Sequence, residues 1–427
     1  MKITIATVGT RGDVQPYVAL GLGLQSAGHQ VQIATDPLFQ AFIENYGLGF
    51  TAVNADPRQA IQEDMRQIGG NPVRLLRWID QQFTPLARQY FIEMRAAAAD
   101  SDAILVSALA FAAMHVAQAL GIPSLAAYLY PITPTRAFPS MAAANLPSWM
   151  TNLGPVNWWS FHLYNLGFFR MMLPVINQLR GEILDLPPIP WSYYTKIDLS
   201  EVPIIYGYSP HVLPKPADWG DHLHITGYWF LEDSDYQPPG ELSSFLEAGT
   251  KPVYIGFGSM LDTEAAKTTQ IVLEALEITG QRAILHGGWS ELGAQQLPDN
   301  VLRVSDVPHS WLFPRMAAVV HHGGAGTTAA GLRAGVPSVI APYFADQPFW
   351  ARIVNQLGAG PKPIPRLKLS ADKLAAALQQ CTRDGQMQRT ASQLGDQIRK
   401  ENGISDAVRL IYSYLQNPDE LMRFNPN

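Results

Sequence analysis

The chain has 427 residues, of which 47% are hydrophobic and 15% charged, and its formal net charge at pH 7 is −6. This length predicts two domains rather than one core, and the composition excludes an intrinsically disordered chain. The negative charge argues against a nucleic-acid-binding protein, which needs a basic face. The single cysteine, Cys381, excludes internal disulfides and fits a reducing cytoplasm.

The N-terminal half alternates strand-like and helix-like runs. A short apolar run at 3–8 is too brief for a signal peptide, and we interpret it as a first strand. A helix over 15–27 follows, and further strands are predicted at 31–35, 103–107, 123–128 and 204–208, the last being the final strand of this half. Strands and helices in turn predict a parallel sheet with helices on both faces.

The C-terminal half repeats this alternation after a proline-containing stretch at 210–239. Strands are predicted at 252–259, 282–285, 301–304, 317–320 and 336–341, with a helix at 263–279 and a helical tail from 370. We therefore predict an α/β protein with two Rossmann-like, doubly wound domains that face each other across a deep cleft. The predicted division is an N-terminal domain over 1–209, a linker over 210–250, a C-terminal domain over 251–404 and a final helix within 405–427 that packs back on the N-terminal domain. Ligands of such folds bind at the carboxyl ends of the strands.

The strongest motif lies at 319–328, Val-Val-His-His-Gly-Gly-Ala-Gly-Thr-Thr. A buried strand runs into a glycine turn and then a helix, whose first N–H groups and dipole attract anions. Gly324 and Gly326 permit close backbone approach, and Thr327 adds a hydroxyl donor. Neighbouring strand side chains point to opposite faces, so only one of His321 and His322 reaches the anion. The motif predicts a phosphate site, and a capped strand-to-helix turn is the structural alternative.

The same stretch also fits a dinucleotide fingerprint. Residues 324–329 match G-x-G-x-x-A, and Asp346 lies twenty positions after Gly326. The acid of that fingerprint closes the following strand, whereas Pro342-Tyr343-Phe344 precedes Asp346 here. We keep a nicotinamide or flavin oxidoreductase as an alternative.

A second motif, Gly-Thr-Arg-Gly-Asp-Val-Gln-Pro at 9–16, also follows a strand. Pro16 suits the first turn of a helix. Asp13 is expected at the mouth of the sheet, where a carboxylate accepts a proton from a bound hydroxyl. The alternative is that Asp13 is the N-cap of the helix, and both roles are compatible if one carboxylate oxygen faces the cleft.

Two weaker motifs lie in the second domain. One opens the domain, and the other follows its last predicted strand. In Gly-Phe-Gly-Ser-Met at 256–260, Ser259 either binds a phosphate oxygen or caps a helix. In Ala-Pro-Tyr-Phe-Ala-Asp-Gln at 341–347, the carboxylate and amide of Asp346 and Gln347 are suited to sugar hydroxyls, and a loop-stabilising network is the alternative.

Together, these blocks resemble the UDP-glycosyltransferase superfamily (glycosyltransferase family 1). The chain is most similar in motif to sterol 3-beta-glucosyltransferases and to bacterial transferases that glycosylate antibiotic aglycones. The likeness spans nearly the whole chain and is most specific at 9–16, 252–260 and 306–347. It implies a GT-B fold, inversion at the anomeric carbon, and no metal or cofactor besides the nucleotide-sugar donor.

The resemblance also implies roles for individual residues. Asp13 would be the catalytic base, at a position where many plant members have histidine, and His322 would contact the donor diphosphate. The donor site would further include Gly12, Ser259, Val307, Gly324, Gly326, Thr327, Asp346 and Gln347. The last two would hold sugar hydroxyls, and Val307 would lie in the block that receives the uracil. Ala330 stands where plant members have the glutamate that contacts the ribose.

The resulting expectation is an inverting enzyme that moves a hexose, glucose from UDP-glucose, to a hydroxyl of a sterol, a lipid, or a polyketide or phenolic aglycone. A non-catalytic sugar-nucleotide-binding protein is a further alternative. The segment 137–195 is rich in aromatic residues and carries no Asp, Glu, Lys or Arg over 137–169. It is interpreted as an acceptor wall, a membrane-contacting surface or ordinary core. We expect a cytoplasmic protein without a spanning helix, with possible peripheral membrane contact.

Overall fold

Two parallel sheets organise the computed structural model, which describes residues 1–54, 78–190, 202–232, 236–257, 265–287, 297–305, 307–417 and 421. The first sheet has seven strands in the order β3-β2-β1-β4-β5-β6-β7. These strands are β1 Lys2–Ala6, β2 Gln30–Thr35, β3 Gly49–Ala52, β4 Ala103–Val106, β5 Ser124–Tyr128, β6 Ile204–Tyr206 and β7 Leu223–Ile225. The second sheet has five strands in the order β10-β9-β8-β11-β12. They are β8 Val253–Gly256, β9 Ala283–His286, β10 Val301–Val304, β11 Ala318–His321 and β12 Ser338–Ile340.

Helices follow the strands in both halves. Those of the first half are α1 Arg11–Ser26, α2 Gln40–Asn45, α3 Thr84–Ala97, α4 Ala113–Leu120, α5 Ser148–Thr151 and α6 Gly154–Leu184. Those of the second half are α7 Gly240–Glu247, α8 Ala265–Thr279, α9 His309–Leu312, α10 Ala325–Ala334, α11 Gln347–Gln356, α12 Ala371–Arg383, α13 Gly385–Arg399 and α14 Gly403–Gln416. The predicted α/β class with two doubly wound sheets is confirmed.

Burial of the central strands explains why the sheets form. Every residue of β8 and β11 is buried, and so is every residue of β1 after Lys2. Parallel strands covered by helices on both faces need such continuous apolar runs. Their carboxyl ends open toward one edge of each sheet, where the predicted motifs lie.

Three predicted features differ from the structure. Helix α1 begins at Arg11 rather than 15, because Thr10 caps it, so Pro16 lies in the second turn rather than the first. Strand β7 lies inside the predicted linker and joins the first sheet beside β6, so 204–208 is not the last strand of this half. The prolines around it and its length of three residues hid the strand. The aromatic segment 137–195, for which no helix or strand is predicted, contains helix α6, with Pro174 in its interior.

Two sets of contacts join the two halves of the chain. On one side, Gly23 of α1 leaves no room for a Cβ atom against Ile404 of α14, so the last helix packs closely on the first. On the other, Tyr206 and Tyr208 share a buried cluster with Trp350 of α11. These contacts set the positions of the two sheet edges relative to each other. Among the described residues, no helix combines the length and apolar character that a bilayer crossing requires.

Candidate active site

Asp13 occupies the third position of α1 and supports the start of that helix. Its Oδ2 atom accepts hydrogen bonds from Thr10 N at 2.7 Å and Thr10 Oγ1 at 3.0 Å. Thr10 Oγ1 in turn accepts from Gly12 N at 3.2 Å, which completes a capping box. Thr10, not Asp13, is therefore the N-cap. These bonds fix the direction of the Asp13 carboxylate.

Asp13 also lines a small cavity at the carboxyl ends of β1, β4 and β5. The cavity measures about 10 Å³ and is lined by Val8, Asp13, Tyr17, Ser107, Ala108, Leu109, Leu129 and Tyr130. Tyr17 anchors the wall by donating its hydroxyl to Ala127 O at 2.6 Å. A volume of this order holds a single oxygen-sized group. The carboxylate thus faces a mostly apolar space with room for one hydroxyl.

The turn between β11 and α10 builds the opposite side of the cleft. Gly323 adopts a φ of +96°, which favours glycine, and its N–H donates to His321 Nδ1 at 3.1 Å. His321 is fully buried, so it is the histidine that faces away from the cleft. Helix α10 starts at Ala325 behind Gly324, an N-cap with no capping side chain. Its first N–H groups therefore lack the usual side-chain oxygen of an N-cap residue.

His322 lies directly against this helix start. A Cβ atom built on Gly324 would lie 2.7 Å from His322 Nε2, so the imidazole covers the N-cap glycine. Burial lowers the pKa of His322 to about 4, which makes the ring neutral at pH 7. A neutral imidazole offers one N–H donor and one acceptor nitrogen. At pH 7, His322 therefore adds no positive charge beside the helix start.

Asp346 reaches the same helix start from the loop after β12. Its Oδ2 accepts a hydrogen bond from Ala325 N at 3.2 Å. The preceding residue, Ala345, has a φ of +57°, a left-handed conformation that is rare for a residue with a Cβ atom. Burial and, to a smaller extent, the charge of Asp13 raise the pKa of Asp346 to about 7. Two carboxylates, one from each half, therefore influence each other across the cleft.

The other predicted donor residues fall into different environments. Gly326 lies opposite Gly12, since a Cβ atom on Gly326 would be 3.8 Å from the Gly12 carbonyl oxygen. Thr327 is partly exposed on the first turn of α10, whereas Thr328 is fully buried. The structure thus brings Gly12, Asp13, His322, Gly324, Gly326, Thr327 and Asp346 to one cleft.

Gln347 and Val307 are oriented toward protein rather than toward the cleft. Gln347 Oε1 accepts from Tyr343 N at 2.8 Å and Phe344 N at 3.3 Å, which is the loop-stabilising arrangement. Val307 is buried in a cluster with Leu312 and Phe313. Their assignment to the donor site remains a prediction. Ser259 lies outside the described residues.

Comparison with known proteins identifies the family of this fold. Residues 3–139 match the glycosyltransferase family 28 N-terminal domain, and residues 271–406 match the erythromycin biosynthesis protein CIII-like C-terminal domain. A sterol 3-beta-glucosyltransferase of Arabidopsis thaliana is 38% identical over 433 residues, covering 99% of this chain and 69% of the relative. The chain belongs to the glycosyltransferase family that includes the sterol 3-beta-glucosyltransferases.

A fungal relative and two solved structures add to this placement. The sterol 3-beta-glucosyltransferase of Cryptococcus neoformans is 36% identical over 452 residues, and the match covers 100% of this chain but 28% of that protein. The chain therefore spans little more than a quarter of the fungal relative. A calicheamicin glycosyltransferase superposes with a TM-score of 0.68 at 18% identity, over 97% of this chain and 98% of that one. A Streptomyces glycosyltransferase superposes with a TM-score of 0.61 at 20% identity, over 96% and 99% of the two chains. These likenesses confirm the GT-B fold.

The glycosyltransferase fold removes the basis for the dinucleotide interpretation of residues 324–329. In that interpretation the acid at the end of the second strand binds a ribose. Here β12 ends at Ile340, and Asp346 follows a loop and bonds to the first N–H of α10. The carboxylate thus lies where the pyrophosphate of a dinucleotide would bind. The G-x-G-x-x-A match is a coincidence of spacing.

Sequence reasoning missed a group of rings behind the glycosyltransferase cleft. Tyr254 of β8 and His309 of α9 approach each other, with the tyrosine hydroxyl 3.3 Å from His309 Nε2. Burial first, and then the charges of His286, Arg11 and His322, lower the pKa of His309 to about 3. These residues come from separate segments without a shared motif, so only the folded chain places them together. Among the described residues, no three metal-binding side chains form a cluster.

Proposed function

We propose that this chain transfers glucose from UDP-glucose to a hydroxyl of a sterol or a similarly apolar acceptor, with inversion at the anomeric carbon. The observation that carries the proposal is the position of Asp13, which faces an apolar cavity on one side of the cleft while the start of α10 faces it from the other. The substrate class follows from the relatives, which are named sterol 3-beta-glucosyltransferases.

The cavity beside Asp13 supports an acceptor that presents a single hydroxyl. Its volume of about 10 Å³ holds one oxygen-sized group. The rings of the acceptor would then contact exposed apolar side chains beside the cavity such as Leu109. Burial of these rings would provide most of the binding free energy, since apolar area contributes about 25 cal/mol per Å².

The reaction proposed is one in-line displacement. The acceptor oxygen attacks the anomeric carbon, its proton passes to the Asp13 carboxylate, and the bond between that carbon and the diphosphate oxygen breaks. A positioned base of this kind typically contributes about 10²–10⁴-fold to the rate. The hydrogen bonds from Thr10 hold the Asp13 carboxylate in one orientation. A carboxylate held in this way favours proton transfer from an acceptor bound in one position.

The leaving diphosphate would be stabilised by the start of α10. Its N–H groups and dipole are in place before the reaction, and they act where negative charge develops. His322 would donate one hydrogen bond as a neutral imidazole, because burial lowers its pKa to about 4. Asp346 would yield its hydrogen bond with Ala325 N to the diphosphate and turn toward the sugar hydroxyls.

Transfer assays with defined donors and acceptors test the proposal. The purified chain would be incubated with cholesterol in detergent and with UDP-glucose or dTDP-glucose, and the glucoside detected by mass spectrometry. The second donor is included because solved neighbours were crystallised with thymidine diphosphate. A glucoside formed from UDP-glucose supports the proposal. Transfer from dTDP-glucose alone would correct the donor, and nucleotide binding without turnover of any acceptor would indicate a binding protein.

A further inference from the structure

An exposed apolar surface lies on the first domain, on α5 and α6. Its members are large apolar side chains with much of their area in solvent: Trp149 (68%), Leu153 (49%), Trp159 (56%), Leu163 (64%) and Leu166 (44%). We call these five residues the tryptophan face. Isolated exposed apolar residues are common, but five of them within the 18 residues from Trp149 to Leu166 mark a surface that contacts another apolar phase.

The geometry of α6 shows that this face is the outer side of the helix. Successive helical residues turn by about 100°, so Trp159, Leu163 and Leu166 fall within an arc of about 60°. The buried residues Phe161 and Leu179 lie on the opposite side. The outer side of a helix in a water-exposed protein is normally polar. Here the outer side is apolar as far as Leu166, and the exposed Arg170 lies one turn after Leu166 on the same side of the helix.

Arginines flank the tryptophan face along the chain. No Asp, Glu, Lys or Arg occurs over 137–169, and arginines stand at both limits, Arg136 and Arg170. Both are exposed, and Arg136 packs beside Gly154 at the start of α6, with its Cβ 3.1 Å from one built on that glycine. Tryptophan with flanking arginine is typical of surfaces at the lipid headgroup level. Asp218 accepts a hydrogen bond from Arg136 N at 2.7 Å, so the attraction to anionic headgroups comes from the guanidinium groups of Arg136 and Arg170.

A row of rings lies on the neighbouring side of α6, about 100° around the helix from Leu163. Tyr164 of α6 stacks on Phe168 with centroids 6.4 Å apart, and Phe168 meets Phe111 at 5.6 Å. Phe111 follows the loop of Leu109, a residue that is 54% exposed and also lines the cavity. Phe168 therefore packs α6 against the segment that carries Leu109 and Phe111.

We propose that the tryptophan face docks the chain on an anionic phospholipid surface and that the apolar acceptor passes from the bilayer to Asp13. The acceptor step rests on the proposed function, whereas the docking step does not. A second copy of the chain is a poorer occupant, because a symmetric contact between two such faces would bring Arg136 and Arg170 of both copies together. Anionic headgroups complement these arginines.

Flotation of the full chain with vesicles tests the docking. The vesicles contain phosphatidylcholine with about one third phosphatidylserine. We expect the wild-type chain to float and a variant with Trp149→Gln, Trp159→Gln and Leu163→Gln to lose at least about tenfold in partitioning, since three apolar side chains leave the interface. The matched control carries Ile278→Gln, Leu367→Gln and Tyr412→Gln, three exposed apolar residues elsewhere, and should float like wild type. Equal flotation of the two variants, or none by wild type, overturns the docking.

Two further measurements keep the result independent of folding and of the proposed function. Brominated lipids should quench the tryptophan fluorescence of the wild-type chain, and no quenching overturns the docking without any variant. Light scattering that shows a dimer abolished by Trp159→Gln would also overturn it. Transfer to a sterol in vesicles should fall at least about tenfold in the tryptophan variant, while transfer to the sterol in detergent stays unchanged. Flotation without any transfer would leave the docking in place and refute the proposed function alone.

Discussion

Asp13 and Asp346 approach the same cleft from opposite halves of the chain, and the charge of Asp13 contributes to raising the pKa of Asp346 to about 7. Asp13 is held by the start of α1, through Thr10. Asp346 is held by the start of α10, through Ala325 N. After burial, the charges of both carboxylates also raise the pKa of the Tyr130 hydroxyl. The pair joins the two halves of the chain at the candidate site, and its surroundings lead to four predictions.

Substitution of Asp13 by asparagine should separate base catalysis from helix capping. The amide oxygen of Asp13→Asn still accepts the hydrogen bond from Thr10 N, so the free energy of unfolding should change by less than about 1 kcal/mol. The amide accepts no proton at neutral pH, and kcat should fall by about 10²–10⁴-fold. Steady-state kinetics and chemical denaturation of the same preparation provide the two measurements.

Asp384→Asn is the matched control for this change. Asp384 caps α13 by accepting from Gln386 N at 2.9 Å and Met387 N at 3.1 Å, outside the cleft. The control should retain the kcat of wild type. Near-normal turnover by Asp13→Asn, in a protein as stable as the control, would remove Asp13 from the chemistry.

Asp346 should give the fold a pH dependence with a definite sign. Its pKa rises from 3.8 to about 7 in the folded chain, so the folded state holds this proton more tightly than the unfolded state. The resulting contribution to the free energy of unfolding is fully present below pH 4 and is lost as the pH rises through 7. Its upper limit is about 4 kcal/mol, and the partial exposure of the side chain makes the actual contribution smaller. Urea unfolding at pH 5 and pH 8 measures it.

In Asp346→Asn, this part of the pH dependence should be absent, because the amide does not titrate. Asp13→Asn should reduce it, since the removal of the neighbouring charge lowers the pKa of Asp346. An identical loss of stability between pH 5 and pH 8 in wild type and Asp346→Asn would show that Asp346 does not titrate in this range.

The same residues show which features of the candidate site can be predicted from the sequence. The placement of Asp13 and His322 at sheet edges followed from local patterns, because a strand, a glycine turn and a helix start are short-range features. The helix start itself was misplaced, since the capping box at 10–13 outweighs the preference of Pro16 for a first turn. Strand β7 was missed because a three-residue run among prolines has too few positions to show a period.

Contacts that depend on the tertiary fold were beyond the sequence. The hydrogen bond between Asp346 and Ala325 N joins residues whose approach is fixed by β12 and the left-handed Ala345. The tryptophan face was visible only as a charge-free aromatic segment. Which of its residues point to solvent depends on how α6 packs, and the same composition describes a buried wall equally well. The orientation of α6 therefore decides whether this segment is a buried wall or an exposed surface.

Nucleotide binding should be coupled to proton uptake at pH 7. A diphosphate at the start of α10 places negative charge beside Asp346 and so raises its pKa further. Since this pKa is already about 7, a fraction of a proton should be taken up per UDP bound. Calorimetry in phosphate and in Tris, which differ in ionisation enthalpy, measures the uptake. Asp346→Asn should give the same enthalpy in both buffers; a wild-type enthalpy that is independent of buffer would place the nucleotide away from Asp346.

Alanine at Gly324 should weaken donor binding by displacing His322. The backbone at Gly324 has φ −60° and ψ 148°, which alanine adopts without strain, so the effect comes from the new methyl group. That methyl would lie 2.7 Å from His322 Nε2, and the imidazole must rotate away from the helix start. The loss of one hydrogen bond to a charged diphosphate corresponds to about 1.5–3 kcal/mol, or roughly 10–150-fold in the Kd for UDP. Gly181→Ala, on an exposed part of α6 with no atom near the added methyl, is the matched control and should leave the Kd unchanged. If Gly324→Ala binds UDP as tightly as this control, His322 does not contact the donor.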